Sequence, residues 1–326
     1  MTDATASQPA SQPPSFVEVF ERIATNVAQV IRGKPDAIRL ALLCLVAEGH
    51  LLIEDVPGVG KTSLAKALAR SVDSTFGRIQ FTPDVLPTDV VGVNIWNEQG
   101  RAFEFRPGPV FNQFVLADEI NRASPKTQAA LLEAMEERQV TIDRDTHPLD
   151  PPFMVIATQN PLDHEGTYPL PESQLDRFLM RISIGYPDRD DAVGILEDQA
   201  ASSGLPISPV TTSLEVRAMA ELVRGVHVAP SLRDYIVSLA EVSRSHHALA
   251  LGASPRATLY LQRVAQALAA SHDRSYVVPD DIKAIARPVL GHRLVLTPEA
   301  QLQGLDVERV IGELLDAVPV PTAATL

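Results

Sequence analysis

The octapeptide DVPGVGKT, residues 55–62, stands between a short apolar stretch, Leu51 to Glu54, and an Ala- and Leu-rich stretch from Ser63 to Ser71. Few local arrangements accept that order. Gly58 and Gly60 permit a tight turn whose backbone N–H groups converge, and a helix opening behind the turn adds its own unpaired N–H groups. Strand, glycine turn and helix N-terminus together form an anion cradle.

The rest of the chain repeats the strand-then-helix rhythm. Further strands are expected at Arg78 to Phe81, Phe114 to Ala117, Phe153 to Ala157 and Met180 to Ile184. Two helices precede the first strand: Phe16, Phe20, Ile23, Val27 and Val30 recur at helical spacing, and a second run covers Pro35 to Glu48. Alternation of this kind implies a parallel sheet with helices on both faces. It is interrupted by two hairpins, VGVNIW with RAFEFRPG and QVTIDR with DTH. Strand signals stop after Gly185-Tyr186-Pro187, and the remainder reads as about four helices, one of them opening on Ser254 as a cap with Pro255 in its first turn. The expected fold class is therefore α/β, with a P-loop sheet core followed by a small helical domain. Residues 1–15 are too polar to order and read as a flexible tail, 16–187 as the nucleotide-binding domain with two hairpin inserts, and 205–318 as the helical domain.

The chemistry-bearing residues follow that layout. Around a phosphate chain the loop would place Pro57, Gly58, Val59, Gly60, Lys61, Thr62 and Ser63, with Lys61 on the β/γ-phosphates and the Thr62 hydroxyl on Mg²⁺. The strict pattern opens on glycine, whereas this loop opens on Asp55; the residues Glu54 to Pro57 still allow the turn. The stretch FVLADE brings Asp118 and Glu119 out at the C-terminal end of a strand, 57 residues after Lys61. Hydrolysis of a phosphoanhydride needs an acid for the hydrated metal and a base to orient water, roles that suit Asp118 and Glu119 in turn. Asn160, ending MVIATQN, would stand beside them and hydrogen-bond the γ-phosphate or the water. These residues predict an ATPase with Mg²⁺ as cofactor.

Composition narrows the partners. A formal net charge of −13 and a pI near 5.0 disfavour nucleic acid and anionic membrane. The apolar stretches fall short of the roughly 18 to 20 residues that span a bilayer. The N-terminus has no basic and apolar segment of a signal peptide, so the expected location is the cytoplasm. The single cysteine, Cys44, lies in an apolar run and reads as core, and His246-His247 lacks companions at metal-ligand spacing. Trp96, on the first hairpin, is either hairpin packing or a contact point between subunits.

The segments DVPGVGKT, LADEINRASPKTQAALLEAMEERQVT, ATQNPLDHEGTYPLPESQLDRF and SPRA resemble the MoxR family of AAA+ ATPases over roughly residues 31–290. The resemblance implies that Asp118-Glu119 is the Walker B pair and Asn160 is sensor 1. It implies that Arg256 is sensor 2, reaching from the helical lid to the nucleotide, and that Arg177 in LDRF is the arginine finger offered to a neighbouring subunit. Arg122 is a second candidate for that finger. It further implies a homo-oligomeric ring, a hexamer, and chaperone-like remodelling, maturation or metal insertion of a client, such as a protein with a von Willebrand factor A domain. A DNA-associated motor is disfavoured by the acidic charge, and a sigma-54 activator by the absence of GAFTGA. A non-hydrolysing nucleotide switch is disfavoured by the presence of Glu119, Asn160 and the arginines.

Overall fold

The computed structural model describes residues 14–161, 166–201 and 207–321. Apart from Pro14 and Ser15, the expected tail lies outside the described residues, as does Leu205, the expected start of the helical domain. Helix α1 (Phe16–Ala28) opens on a capping box in which Ser15 and Glu18 satisfy each other's backbone N–H, and it buries the stripe Val19, Phe20, Ile23 and Val27. Helix α2 (Pro35–Val46) leads into β1 (Leu51–Glu54), the turn, and α3 (Lys61–Ser71). Then come β2 (Phe76–Gln80), α4 (Pro87–Val91) and the hairpin β3 (Gly92–Asn97) with β4 (Ala102–Pro107). Strand β5 (Phe114–Asp118) is followed by α5 (Pro125–Glu137), the hairpin β6 (Gln139–Ile142) with β7 (Asp145–Pro148), and β8 (Met154–Gln159). A short α6 (Glu172–Leu175), β9 (Met180–Ile182) and α7 (Arg189–Ala201) complete this half.

Five strands form one parallel sheet in the order β2-β5-β8-β1-β9. Its central strands are apolar on both faces because helices cover both. The period of two is visible in the packing. Leu51, Ile53, Phe114, Leu116, Met154 and Ile156 join the core shared with α1, α2 and α3. Leu52, Val115, Ala117, Val155 and Ala157 join the one under α5. Each Val, Leu, Ile, Phe or Met among them contributes roughly 1.5 to 3 kcal/mol by leaving water. Strand β2 begins two residues earlier than expected and ends at Gln80, because pairing starts where Phe76 meets Phe114. As an edge strand carrying Arg78 and Gln80 outward, it has a weaker apolar signature than the buried strands.

The C-terminal part contains α8 (Ser213–Gly225), α9 (Pro230–Ser245), β10 (Leu249–Leu251), α10 (Pro255–Ser271), α11 (Pro279–Leu290), β11 (Val295–Leu296), α12 (Pro298–Leu302) and α13 (Val307–Ala317). Two expectations are corrected here. The helices number six rather than four among the described residues, and β10 pairs antiparallel with β11 where no strand was expected. Elements of two and three residues are too short to carry a periodicity.

A buried polar clamp joins the two parts. Ser254 caps α10 by accepting from Ala257 N at 3.1 Å, and its hydroxyl lies 3.0 Å from both Asp176 carboxylate oxygens. Arg293, only 3% exposed, donates from Nε to Asp176 Oδ1 at 2.8 Å and from its other nitrogens to the carbonyls of Asp176, Phe178 and Val289. His292 reaches the Phe178 carbonyl at 3.0 Å. Removing one side of such a pair leaves a charge and several carbonyls unmet. Arg293→Ala is expected to lower the unfolding free energy by about 3 kcal/mol. Urea unfolding checks this, and a loss below about 1 kcal/mol would show that the clamp does not hold the parts together.

Candidate active site

Strand β1 stops at Glu54 and α3 starts at Lys61, so the turn between them lies at the C-terminal edge of the sheet, where parallel α/β folds bind ligands. Gly58 and Gly60 have φ of +86° and +95°, left-handed values that side chains resist. A Cβ on Gly58 would meet nothing within 4 Å, so the glycine serves the backbone's shape and leaves open space above the loop. Lys61 Nζ donates to the carbonyls of Asp55 at 2.5 Å and Gln159 at 3.3 Å, which aims the ammonium across the mouth of the turn. Thr62 and Ser63 occupy the first turn of α3.

Asp55, the departure from the strict loop pattern, is an anchor. Its Oδ2 accepts from Ser183 Oγ at 2.9 Å, Ile184 N at 2.8 Å and Gly185 N at 2.7 Å, while Oδ1 accepts from Val56 N at 2.8 Å. Burial alone would raise its pKa; the donors from Gly185, Ser183, Val56 and Ile184 outweigh it and hold the carboxyl below the usual range. The loop is thus tied to the segment that follows β9.

Asp118 ends β5, and Glu119 follows in the left-handed region with φ of 57°. One buried hydroxyl sets both: Thr158 donates to Asp118 Oδ1 at 2.7 Å and accepts from Glu119 N at 2.9 Å. From the edge strand, Arg78 pairs with Asp118 Oδ2 at 2.7 Å and Gln80 donates to Glu119 Oε2 at 3.0 Å. Arg122 Nε stands 3.2 Å from Glu119. Asn160 directly follows β8 and is buried. Lys61, Asp118, Glu119 and Asn160 are therefore gathered at one edge.

Sequence reasoning missed Thr158, Arg78 and Gln80. Arg78 and Gln80 are two apart on a strand, which places them on one face, and that spacing was the available signal. The loop fits a phosphate chain, because it offers open space, convergent N–H groups and a lysine. The Thr62 hydroxyl and the Asp118 carboxylate are hard oxygen donors of the kind that hold Mg²⁺, and Arg78 shows that the carboxylate accepts a cation.

The two arginines that the family resemblance singles out stand apart from this edge. Arg177 lies three residues before β9, and Arg256 opens α10. Both pair with Glu136 at the end of α5, Arg177 at 3.1 Å, in a cavity also lined by Gly49 and His50, which precede β1. That is the N-terminal edge of the sheet, separated from the phosphate loop by the length of β1, about 13 Å at 3.3 Å per residue. Arg256 does not stand at this chain's own phosphate loop: α10 packs so that its first turn meets Glu136 and Asp176. Beneath this cavity His50 is buried between the Met135 carbonyl and Val155 N, each at 3.0 Å. Burial, then the Arg138 charge, drive its pKa down to about 3 against the pull of the Met135 carbonyl.

Such a sheet, with its glycine turn, paired acids and helical C-terminal part, defines an AAA-type ATPase. Residues 50–180 match the ATPase family associated with various cellular activities (AAA), and residues 241–314 match the AAA lid domain. Chaperone MoxR1 of Mycobacterium tuberculosis is 40% identical over 94% of this chain and 83% of its own, and Protein MoxR of Paracoccus denitrificans is 34% identical over 90% and 94%. The crystal structure of a candidate ATPase from Cytophaga hutchinsonii superposes with a TM-score of 0.88 at 38% identity, covering 94% of this chain and 96% of that one. The chain belongs to the MoxR family of AAA+ ATPases.

Because the folded-state pKa of Asp55 lies below its unfolded value, its stabilisation is complete above the unfolded pKa and is lost as pH falls through the folded one. Asp55→Asn should cost about 1 to 2 kcal/mol at neutral pH, a penalty that holds to about pH 5 and shrinks below about pH 4. Urea unfolding of both proteins across that range measures it, and a penalty that grows on acidification would contradict the assignment.

Proposed function

We propose that this chain hydrolyses ATP with Mg²⁺ as a subunit of a homo-oligomeric ring, a hexamer by family resemblance, and couples turnover to remodelling or maturation of a client protein. The observation that carries the reading is the gathering of Lys61, Asp118, Glu119 and Asn160 at one sheet edge while Arg177 and Arg256 sit at the other. Lys61 neutralises the β/γ-phosphates. Thr62 and Asp118 hold Mg²⁺, which supplies charge stabilisation on the phosphate oxygens. Glu119 orients the attacking water, and Asn160 hydrogen-bonds the γ-phosphate or that water. Gln80 and Arg122 hold the Glu119 carboxylate in place beforehand.

Beyond Lys61 and Mg²⁺, the charge that develops on the transferring phosphoryl group calls for a further cation, the part an arginine finger plays. Arg177 and Arg256 cannot supply it to their own loop across the sheet, so each completes the site of a neighbouring copy. Arg122 is engaged with Glu119 of its own chain, which favours Arg177 as the finger. The chaperone name of the mycobacterial relative supports a protein client, and a von Willebrand factor A protein is the class that the family resemblance offers. Among the described residues no helix is long and apolar enough to cross a membrane, and the acidic charge disfavours nucleic acid; we place the ring in the cytoplasm.

Lys61→Ala should weaken nucleotide binding, whereas Glu119→Gln should keep binding and suppress turnover, measured by labelled ATP and phosphate release. Arg177→Ala and Arg256→Ala should each lower the rate, Arg177→Ala by on the order of 10³ or more. Mixed with Lys61→Ala subunits, each arginine variant should regain part of its activity, since some interfaces then join an intact loop to intact arginines. If mixed rings form by sizing and no activity returns, the arginines do not act between subunits.

A further inference from the structure

The cavity at the N-terminal edge of the sheet, about 480 Å³, concentrates positive charge in a chain whose net charge is −13. Arg138, Arg177, Arg224, Arg256 and Arg263 line it, against the carboxylates of Glu48 and Glu136. Each carboxylate serves two guanidiniums. Glu48 pairs with Arg224 and lies 3.9 Å from Arg138, while Glu136 holds Arg177 at 3.1 Å and Arg256 as well. Arg263 has no carboxylate within 4.0 Å among the described residues. The buried Nε of Arg177 has no hydrogen-bond partner. The surplus is felt at Arg138, whose pKa is lowered first by burial and then by Arg263 and Arg224, against the pull of Glu48. Such a cavity is built for an anion with more oxygens and more charge than one carboxylate.

We propose that Glu136 is an internal stand-in for phosphate: its carboxylate holds Arg177 and Arg256 where the terminal phosphates of a nucleotide bound to a second copy of this chain take them on assembly, with Arg263 as an additional cation. This rests on the reading that the two arginines act between subunits. A polyphosphate presents several charged oxygens to the guanidiniums at once, and so displaces a single carboxylate. The displacement also has a mechanical side. Glu136 belongs to α5 of the sheet part and Arg256 to α10 of the lid, so their pair is a tie between the two parts. When a neighbour's phosphates draw Arg256 away, that tie opens while the clamp of Asp176 with Arg293 remains. The nucleotide state of one subunit thereby reaches the lid of the next.

The test uses the full-length Lys61→Ala chain, whose own loop is disabled, with inorganic tripolyphosphate as probe in calorimetric titration. Tripolyphosphate should bind, and Arg177→Ala in that background should weaken binding. Glu136→Gln should tighten binding by about tenfold, the scale expected when a charged competitor is removed. Glu136→Asp, with its charge drawn back by one methylene, should tighten it less. Arg263→Ala should weaken binding severalfold. Hydrogen exchange at the start of α10 should rise when tripolyphosphate is added to Lys61→Ala, and should already be raised in Glu136→Gln without it. If binding depends on Arg177 but Glu136→Gln leaves it unchanged or weaker, the stand-in role is overturned and the intersubunit site stands. If tripolyphosphate binds neither chain, the intersubunit reading falls as well.

Discussion

The parallel register across β5, β8 and β1 is the constraint on which the catalytic edge depends. Ala117 pairs with Ala157, and Ile53 pairs with Thr158, so the end of β5, the Thr158 hydroxyl and the exit of β1 arrive at one height. A slip of one residue would turn Thr158 to the opposite face and remove the single group that orients both Asp118 and the Glu119 backbone. It would also push the larger Met154 and Ile156 side chains into the space that Val155 and Ala157 now fill, which a close-packed core resists. The apolar alternation that fills the two cores therefore also sets the spacing of the acids from the phosphate loop.

The same edge shows how a departure from a motif can be a gain. Asp55 takes the place of a glycine whose value in the strict pattern is conformational freedom, and the chain secures the turn by other means: one carboxylate gathers donors from three consecutive residues behind β9. The loop is thus joined to the adjacent edge strand, and through Glu54, which bonds both Gln159 and Arg181, to the lid at the Gly291 carbonyl.

Much of this was legible in the residues. The buried strands announce themselves as apolar runs ending in polar residues, and Gly58, Lys61, Asp118 and Glu119 fall at the strand ends where such runs place them. Strand β2 begins two residues before its expected start because an edge strand is half polar, and β10 and β11 give no strand signal because a pair so short has no pattern. Thr158 passed unnoticed since a threonine inside a strand is ordinary until its hydroxyl meets two partners. The placement of Arg256 was not legible at all. Local sequence shows that Ser254 and Pro255 start a helix, but which carboxylate the next residue meets depends on how a helical domain packs against a sheet far away in the chain.

His50 gives the arginine cavity a property of its own. Its ring keeps one nitrogen as acceptor toward Val155 and the other as donor toward Met135, and with a pKa near 3 it takes up no proton in any ordinary milieu. The floor of the cavity is therefore blind to acidity: between mild acid and mild base the imidazole beneath the guanidiniums does not titrate. What the guanidiniums above it register is competition among anions and the screening set by dissolved salt, so ionic strength is an environmental variable written into this face of the molecule.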